Sequence, residues 1–352
     1  MLTSRLPSVR SGAAWPGPAL GLCYWLLSVT AFSAPRAANL SRYEYTQPQM
    51  GVPFRMVLYA PDQPTARAAA EAAFARISQL NDIMSDYDAD SELSRLSGTS
   101  GAGRPVKVSD DLWRVLHRAQ ALSAQSEGAF DVTVGPVINL WRKARRDRQM
   151  PDPTRLASAR AAVGYKHLRL DLAHHTALLE LPRMRLDLGG IAKGYAVDAA
   201  LKVLRQHGID RALVAGAGDM AASDPPPGKP GWRVELAPLD ATNAPPVRYV
   251  RLNRMALATS GDLFQHVVID GRRYSHIVDP RTGIGLTDHS LVTVIAKDCT
   301  TADALATAAS VLGPEKGLRL VRQTPGAAAR IARQAADQVE VRESPGFAHA
   351  YE

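Results

Sequence analysis

The stretch RLDLGGIAKGY at residues 185–195 constrains the fold more than any other part of the chain. An apolar run around Asp187 predicts a short strand, and two glycines then interrupt it. From Ala192 the apolar residues recur at helical spacing, and Gly208 marks the helix end. A strand, a glycine turn and a helix N-terminus collect free backbone N–H groups, which favour an anion such as phosphate, and Lys193 adds positive charge. The alternative is that the glycines only turn the chain.

The remaining patterns predict an α+β fold, because strands and helices are mixed without strict βαβ alternation. A hairpin is expected around Asp270-Gly271, a dipeptide typical of type I′ turns. Residues 137–141 fit either a helix or a strand. The other predicted strands are 50–59, 186–188, two within 167–181, 212–216, 232–236, 247–252, 290–296 and two short ones within 329–343. The predicted helices are 66–83, 110–127, 153–163, 192–207 and 301–312.

The first 40 residues resemble an export segment rather than part of the fold. Arg5 and Arg10 precede an apolar run over residues 18–34, and small residues follow it. This order is typical of a secretory signal, with an uncleaved membrane anchor as the alternative. Residues 41–352 are then predicted to form one domain. Removal of Cys23 with the signal would leave Cys299 alone, which excludes a disulfide framework or a cysteine zinc site.

The charge balance is basic but does not indicate nucleic-acid binding. The formal net charge is +8, yet no run of Lys and Arg is interleaved with aromatic residues, which make up only 6% of the chain. Stacking platforms for bases are therefore not expected. The densest basic cluster, residues 142–148, is interpreted as a solvated helix face or loop. The excess positive charge is compatible with an anionic small ligand.

Two groups carry the chemistry that the residues alone suggest. Asp303 and Thr307 lie four apart on a predicted helix and share one face, so a carboxylate and a hydroxyl meet there. Such oxygen ligands suit Mg²⁺, although Asp303 at a helix start also favours the helix dipole without a metal. His276 follows the predicted hairpin, where it could act as an acid, a base or a phosphate contact. A structural role is the alternative for this histidine.

Six stretches, in this order, resemble the FAD:protein FMN transferase family, also called ApbE. They are MSDYDADSEL at 84–93, GAFDVTVGP at 128–136, LDLGGIAKG at 186–194, ATSGD at 258–262, HIVDPRTG at 276–283 and ADALAT at 302–307. The resemblance implies mixed, largely antiparallel sheets flanked by helices in a two-lobed architecture. It assigns residues 41–352 to the catalytic domain.

The resemblance also assigns roles to individual residues, all of which are expectations. Asp303 and His276 are the expected catalytic residues, although neither can be chosen as the general base. The Mg²⁺ ligands would be the Gly190 carbonyl, Asp303 and Thr307. The residues expected to contact FAD are Met50, Tyr87, Ala129, Phe130, Asp131, Asp187 and Lys193. The chain departs from the family at Ala217, where glycine is frequent, and at Gly190, where alanine is frequent.

The function implied is Mg²⁺-dependent transfer of FMN from FAD to a Thr or Ser hydroxyl of an acceptor protein, with release of AMP. The acceptor would be a subunit of a membrane redox complex that carries a flavinylation motif. The enzyme would be exported to the periplasm or to the periplasmic face of the inner membrane. One alternative is a metal-dependent FAD pyrophosphatase that gives FMN and AMP. Another is a flavin-binding protein without turnover, which the Asp303–Thr307 pair argues against.

Overall fold

A sheet of eight antiparallel strands organises the chain in the computed structural model, which describes residues 40–239, 248–262, 265–335 and 338–351. Residues 1–39 of the predicted export segment therefore lie outside the described residues. The strands are β1 Ser41–Gln49, β2 Val52–Ala60, β3 Val106–Lys107, β4 Leu168–Asp171, β5 Thr176–Leu179, β6 Ala212–Gly216, β7 Asp219–Ala222, β8 Trp232–Glu235, β9 Tyr249–Leu252, β10 Ala256–Gly261, β11 His266–Ile269, β12 Arg272–Ser275, β13 Val278–Asp279, β14 Ile284–Gly285, β15 Ser290–Ala296, β16 Ala328–Ala335 and β17 Gln338–Glu343.

The described helices are α1 Gln63–Met84, α2 Glu92–Ser97, α3 Asp110–Gln125, α4 Gly135–Asp147, α5 Pro153–Arg160, α6 Ala192–Gln206 and α7 Cys299–Arg322. The central sheet has the order β1-β2-β6-β7-β10-β15-β16-β17, and smaller sheets are formed by β3-β5-β4, β8-β9, β11-β12 and β13-β14. The predicted α+β class with largely antiparallel sheets is confirmed. Asn39–Glu352 forms one compact unit.

The two faces of the central sheet cover different cores. On one face, α1, α6 and α7 pack against the strands, and alternate β2 residues such as Phe54, Met56 and Leu58 point into this main core. On the other face, Val57 of the same strand packs with Trp232 of the β8-β9 ribbon. This alternation follows from the two-residue period of a strand. It leaves the first turns of α6 and α7 side by side against the sheet.

A third cluster joins α4 to the β11-β12 hairpin. Trp141 of α4 is buried, tilts against Tyr274 and donates its indole N–H to the Gly283 carbonyl at 2.8 Å. The hairpin turns at Asp270 and Gly271, both at positive φ, as the type I′ signature predicts. Residues 137–141 are helical, which resolves the choice left by the sequence. This packing positions α4 beside the segment that carries His276.

Several predicted boundaries are wrong for physical reasons. Residues 50–59 are not one strand, because Met50 and Gly51 form a left-handed turn after β1. The sequence pattern missed β1 because it is a largely exposed edge strand without apolar alternation. Residues 186–188 are not a strand, and the neighbouring Arg185 makes only a single bridge to Val134. The last helix starts at Cys299 and continues past Gly313, whose φ of 73° interrupts it.

The termini of the helices follow the expected capping chemistry. Ser109 accepts from the Leu112 amide at the start of α3, and Asp298 accepts from the Thr301 amide at the start of α7. Gly208 lies in the left-handed region after α6, as predicted. In the part of the chain that the structure describes, no helix combines the length and apolarity needed to cross a bilayer.

Candidate active site at the crossing of α6 and α7

Helices α6 and α7 cross so closely that only glycine fits at the contact. A Cβ atom added to Gly194 would lie 2.9 Å from the Cβ of Asp303 and would collide with the Cys299 carbonyl. Asp198, one turn further along α6, accepts from the backbone amides of Cys299 and Thr300 at 2.8 and 2.9 Å. The start of α7 is therefore fixed against α6, and the side chains of both first turns face each other.

The central carboxylate of this crossing belongs to Asp303, a residue that is only 2% exposed. Its Oδ2 accepts from the Gly194 amide at 3.1 Å and lies 3.7 Å from Lys193 Nζ. Lys193 Nζ also donates to Asp219 at the start of β7. No described residue donates a hydrogen bond to Asp303 Oδ1. One lysine thus faces two buried carboxylates, and one carboxylate oxygen remains for another partner.

The electrostatics of this cluster, Lys193–Asp219–Asp303, follow from burial. Burial and the nearby charge of Asp219 raise the pKa of Asp303 to about 7, against the opposing effect of Lys193. Burial alone would lower the pKa of Lys193, but the charges of Asp303 and Asp219 outweigh it and raise that pKa. Lys193 therefore stays protonated. Asp303 becomes fully ionised at neutral pH only when additional positive charge is present.

The three predicted Mg²⁺ ligands are brought together. A Cβ atom on Gly190 would lie 2.9 Å from Thr307 Oγ1, so the glycine turn packs directly on the second turn of α7. Ser260 Oγ of β10 lies 3.3 Å from the same Thr307 oxygen. Asp303 is four residues before Thr307 on α7, and its Oδ1 is without a described donor. A carbonyl, a hydroxyl and a carboxylate are hard oxygen ligands, and a cation such as Mg²⁺ completes its shell with water or phosphate.

The described residues contain no group of three or more His, Cys, Asp or Glu side chains placed to hold a metal ion. The oxygen set at Gly190, Asp303 and Thr307 has only one such side chain. It therefore fits a weakly held cation that takes the rest of its ligands from the substrate, and does not fit an all-protein cage. The buried Asp303 carboxylate with its raised pKa is the observation that favours a cation here.

A second cluster, Arg142–Asp86–Asp187, lies at the other end of the 187–193 segment. Arg142 of α4 contacts Asp86 at 2.5 Å and Asp187 at 3.0 Å, and its guanidinium covers the Tyr87 ring at 4.1 Å. Burial and the charge of Asp86 raise the pKa of Asp187 against the effect of Arg142. Tyr87 itself is 79% exposed, which is unusual for a large aromatic ring fixed by a cation. The ring is therefore open to stacking by a planar ligand.

His276 follows β12, and its ring is fixed by the backbone. Its Nδ1 lies 3.1 Å from the Gln265 carbonyl, so Nδ1 carries the proton and donates to that oxygen. Desolvation and the positive charge of Arg145 lower the pKa of His276 to about 4. The imidazole is therefore neutral at pH 7. Its Nε2 carries a lone pair that can accept a proton, so of the predicted roles, base is the one that the geometry supports.

Other predicted FAD contacts have structural partners. Ala129 and Phe130 are buried, and Phe130 belongs to the main core. Asp131 is also buried: its Oδ1 accepts from the amide and hydroxyl of Thr133, and its Oδ2 from the Tyr165 amide at 2.8 Å. Met50 lies in the β1–β2 turn, partly buried against the main core. Residues 129–131 form the loop before α4, and the described contacts of Asp131 are all internal.

Sequence reasoning missed three charged groups of the site. Residues 142–148 are not simply a solvated face, because Arg142 anchors two carboxylates and Arg145 acts on His276. Lys193 was expected to meet phosphate first, but its nearest partner is Asp219, which the sequence analysis did not assign. The signal that was available is the position of Asp219 directly after a strand and a Gly-containing turn. The carboxylate partners of Arg142 are separated from it by 45 and 56 residues, so no local pattern reveals them.

Comparison with known proteins gives consistent matches. The ApbE family model matches residues 50–331. An FAD:protein FMN transferase of Haemophilus influenzae is 36% identical over 266 residues, which is 74% of this chain and 77% of that protein. One of Treponema pallidum is 33% identical over 325 residues, covering 86% and 89% of the two chains.

Solved structures agree with these sequence matches. The apo form of the flavinyl transferase ApbE of Pseudomonas stutzeri has a TM-score of 0.79 at 31% identity and covers 89% of this chain and 97% of its own. The flavin transferase ApbE of Vibrio cholerae has a TM-score of 0.79 at 30% identity, covering 88% and 99%. Both similarities extend over the α6–α7 crossing.

Proposed function

The chain belongs to the ApbE family and is a transferase, and we propose that it moves the FMN half of FAD onto a Thr or Ser hydroxyl of an acceptor protein. The product is a phosphoester, and AMP leaves. The observation that carries this proposal is the convergence of Gly190, Asp303 and Thr307 at a buried helix crossing. That oxygen set suits the Mg²⁺ that pyrophosphate chemistry uses.

The proposed cation site belongs to three elements of the chain. The Gly190 carbonyl, Asp303 and Thr307 would hold Mg²⁺, which when bound neutralises charge on the phosphate oxygens. Lys193 keeps Asp219 and Asp303 from repelling each other and holds Asp303 Oδ2, which leaves Oδ1 for the cation. The raised pKa of Asp303 supports this assignment, because an added cation restores the ionised carboxylate that burial disfavours.

Tyr87 and the Arg142 cluster form the proposed flavin end of the site. The exposed Tyr87 ring offers an apolar face on which the isoalloxazine ring can stack. Arg142 covers the other face of the Tyr87 ring and fixes its orientation. Asp187 is held by Arg142 and by the Gly189 amide at 2.8 Å. In this proposal the flavin lies near one end of the glycine turn and the phosphates lie near the other.

His276 is the proposed general base. The acceptor hydroxyl oxygen attacks the phosphorus of the FMN half, the bond from that phosphorus to the bridging oxygen breaks, and the bridging oxygen leaves with AMP. The hydroxyl proton passes to Nε2, which is free because Nδ1 donates to Gln265. Asp303 is the less suitable base, because Oδ2 accepts from Gly194 and Oδ1 is assigned to the cation.

The cellular setting is also a proposal. The export-like segment of residues 1–40 leads us to place the enzyme in the periplasm or on the periplasmic face of the inner membrane, where the acceptor would be a subunit of a redox complex. Fractionation of cells that produce the full chain tests this. Activity confined to the cytoplasmic fraction would reject the assignment.

The decisive experiment is incubation of the purified chain with FAD and Mg²⁺, with and without an acceptor domain that carries the flavinylation motif. A mass gain of one FMN on the acceptor, with stoichiometric AMP and loss of both in EDTA, is the expected outcome. AMP and free FMN without acceptor modification would replace the proposal by FAD pyrophosphatase activity. FAD that binds but stays intact would indicate a flavin-binding protein. Acceptor with its Thr replaced by Val serves as the matched control.

A further inference from the structure

The two clusters of the site carry more negative than positive charge. Arg142 faces two carboxylates in one cluster and Lys193 faces two in the other, so two cations balance four anions. All four carboxylate side chains are at most 10% exposed, so solvent screens them weakly. A pyrophosphate brings further negative charge into this region. Besides the proposed Mg²⁺, a protein cation that these carboxylates do not already neutralise would favour binding of the pyrophosphate.

Arg145 is such a cation. It lies three residues after Arg142 on α4, so both side chains project from the same side of the helix. The side chain is half-buried, and within the described residues it makes no ion pair or hydrogen bond. Half-buried guanidinium groups ordinarily have an acceptor, because burying them without one is costly. An unpartnered Arg145 therefore indicates that its acceptor is a ligand.

The surroundings of Arg145 indicate what that ligand is. Its charge interacts with Tyr87, at the flavin end of the proposed site, and with Arg142. Together with desolvation, the same charge lowers the pKa of His276, the proposed base. Arg145 lies one helical turn from Arg142, whose guanidinium covers the Tyr87 ring, on the helix that packs against the hairpin preceding His276. In FAD, the ribityl chain joins the isoalloxazine ring to the pyrophosphate, which is the anionic group that a guanidinium in this position can bind.

We propose that Arg145 binds the pyrophosphate of FAD, an inference that rests on the proposed function and adds a substrate-binding residue to it. The guanidinium fork matches two phosphate oxygens at once, which a lysine ammonium does not. Arg142 supports this role indirectly: its ion pairs to Asp86 and Asp187 anchor α4 and direct Arg145 at the site.

A simpler explanation for Arg145 is its position in the last turn of α4, where a cation favours the helix dipole. That explanation applies equally to Arg146, the next residue, which is 74% exposed and paired with Asp147 at 3.0 Å. Both arginines lie at the C-terminal end of α4, but only Arg145 belongs to the proposed site. Arg146 is therefore the matched control that separates a dipole effect from phosphate binding.

The test compares Arg145→Gln, Arg145→Lys and Arg146→Gln in the mature chain. Binding of FAD and of riboflavin, which lacks phosphates, is measured by flavin fluorescence in EDTA so that no turnover occurs. We expect Arg145→Gln to weaken FAD binding about 10-fold to 100-fold, the size of one lost charge-assisted contact, with riboflavin binding within about 2-fold. Arg145→Lys should lose less, and Arg146→Gln should match the wild type for both ligands.

Each other result rejects the proposal. Equal weakening of FAD and riboflavin would place Arg145 at the flavin ring, and no change for either would remove it from the site. Equal effects of the Arg145 and Arg146 variants would leave only the helix-dipole role. The proposed transferase function fails separately, if the wild type binds FAD but modifies no acceptor. Thermal unfolding of each variant verifies that the fold is retained.

Discussion

Two buried aspartates, Asp131 in the loop before α4 and Asp303 at the α6–α7 crossing, look alike by burial but differ in their partners. Burial raises the pKa of both carboxyl groups. Asp131 receives three hydrogen bonds from neutral donors, two from Thr133 on its own loop and one from the Tyr165 amide after α5. Asp303 receives one amide bond from Gly194, faces the carboxylate of Asp219 and needs Lys193 to offset it.

The difference shows that burial of a charge alone does not identify a functional residue. A carboxylate satisfied by neutral donors stabilises its loop, because both of its oxygens have hydrogen-bond partners. A buried carboxylate beside another carboxylate lowers the free energy of unfolding, and a bound cation restores the lost stability. Four experiments test this distinction, in decreasing order of expected effect.

The largest effect is expected from Asp303→Asn. The amide keeps the size of the side chain and can still accept from Gly194, but it removes the charge that a cation would use. Transfer activity should fall by about 10²–10³-fold, the size of one lost preorganised electrostatic contact. The midpoint of urea unfolding should stay unchanged or rise, since repulsion with Asp219 is relieved. Full activity in AMP-release assays would remove Asp303 from the catalytic site.

Lys193→Met comes next, because it leaves two buried carboxylates without their cation. We expect the free energy of unfolding to fall by about 3 kcal/mol at pH 8. The loss should be smaller at pH 5.5: with the pKa of Asp303 already raised to about 7, protons bound by the native state stabilise it as the pH falls. Urea titrations at both pH values measure this. A loss that is equal at the two pH values would show that Lys193 acts by packing alone.

A double variant controls for packing at Lys193. Combining Lys193→Met with Asp303→Asn removes one of the two repelling charges and should recover part of the lost stability. The recovery is a coupling between two contacting residues, measured by a double-mutant cycle. Strict additivity of the two changes would indicate that Lys193 and Asp303 do not interact.

Asp131→Asn should have the opposite profile to Asp303→Asn. One amide oxygen can serve Thr133, but the amide nitrogen then faces the Tyr165 N–H and leaves it without an acceptor. The free energy of unfolding should fall by about 2 kcal/mol, the cost of an unsatisfied buried group. Activity per folded molecule should remain within about 3-fold, since no charge of the α6–α7 crossing changes. A large activity loss in a stable Asp131 variant would return this residue to the FAD pocket.

The smallest effect on stability concerns His276. Its native pKa of about 4 lies below the ordinary 6.5, so the unfolded chain binds the proton more readily. Stability that this histidine contributes is present above pH 6.5 and is lost as the pH falls towards 4. His276→Gln should reduce the change of the unfolding midpoint with pH over that range. It should also lower the transfer rate at pH 7.5, and an unchanged rate would exclude His276 as the base.

The parts of the fold that were predictable are those with strong local signals. The helix 192–207 with its end at Gly208 and the Asp270-Gly271 turn both depend on residues a few positions apart. β1 was missed because an edge strand needs no apolar alternation. Residues 186–188 were wrongly predicted as a strand, because the sequence does not reveal that they lack a pairing partner. The proximity of Asp303 and Thr307 follows from one helical turn, so it was predictable before the fold was known.

The rest of the site depends on contacts between distant segments. Gly190 contacts Thr307, and Lys193 contacts Asp219, only because α6 and α7 pack on the same face of the sheet that contains β7. The sequence predicts Arg142 to be one of several solvated arginines, because its two carboxylate partners lie far away along the chain. Ion pairs between remote segments leave no periodicity in a sequence. Geometry was therefore needed to separate Arg145 from Arg146.

The close crossing at Gly194 has a practical consequence for Cys299, the thiol that opens α7. The side chain is fully buried, and desolvation raises its pKa, so it does not react while the two helices stay together. A thiol reagent can reach it only when this crossing opens. The rate of Cys299 labelling in the mature chain therefore measures local opening of the α6–α7 crossing, without an added probe. FAD that bridges α6 and α7 should slow that labelling in proportion to its occupancy.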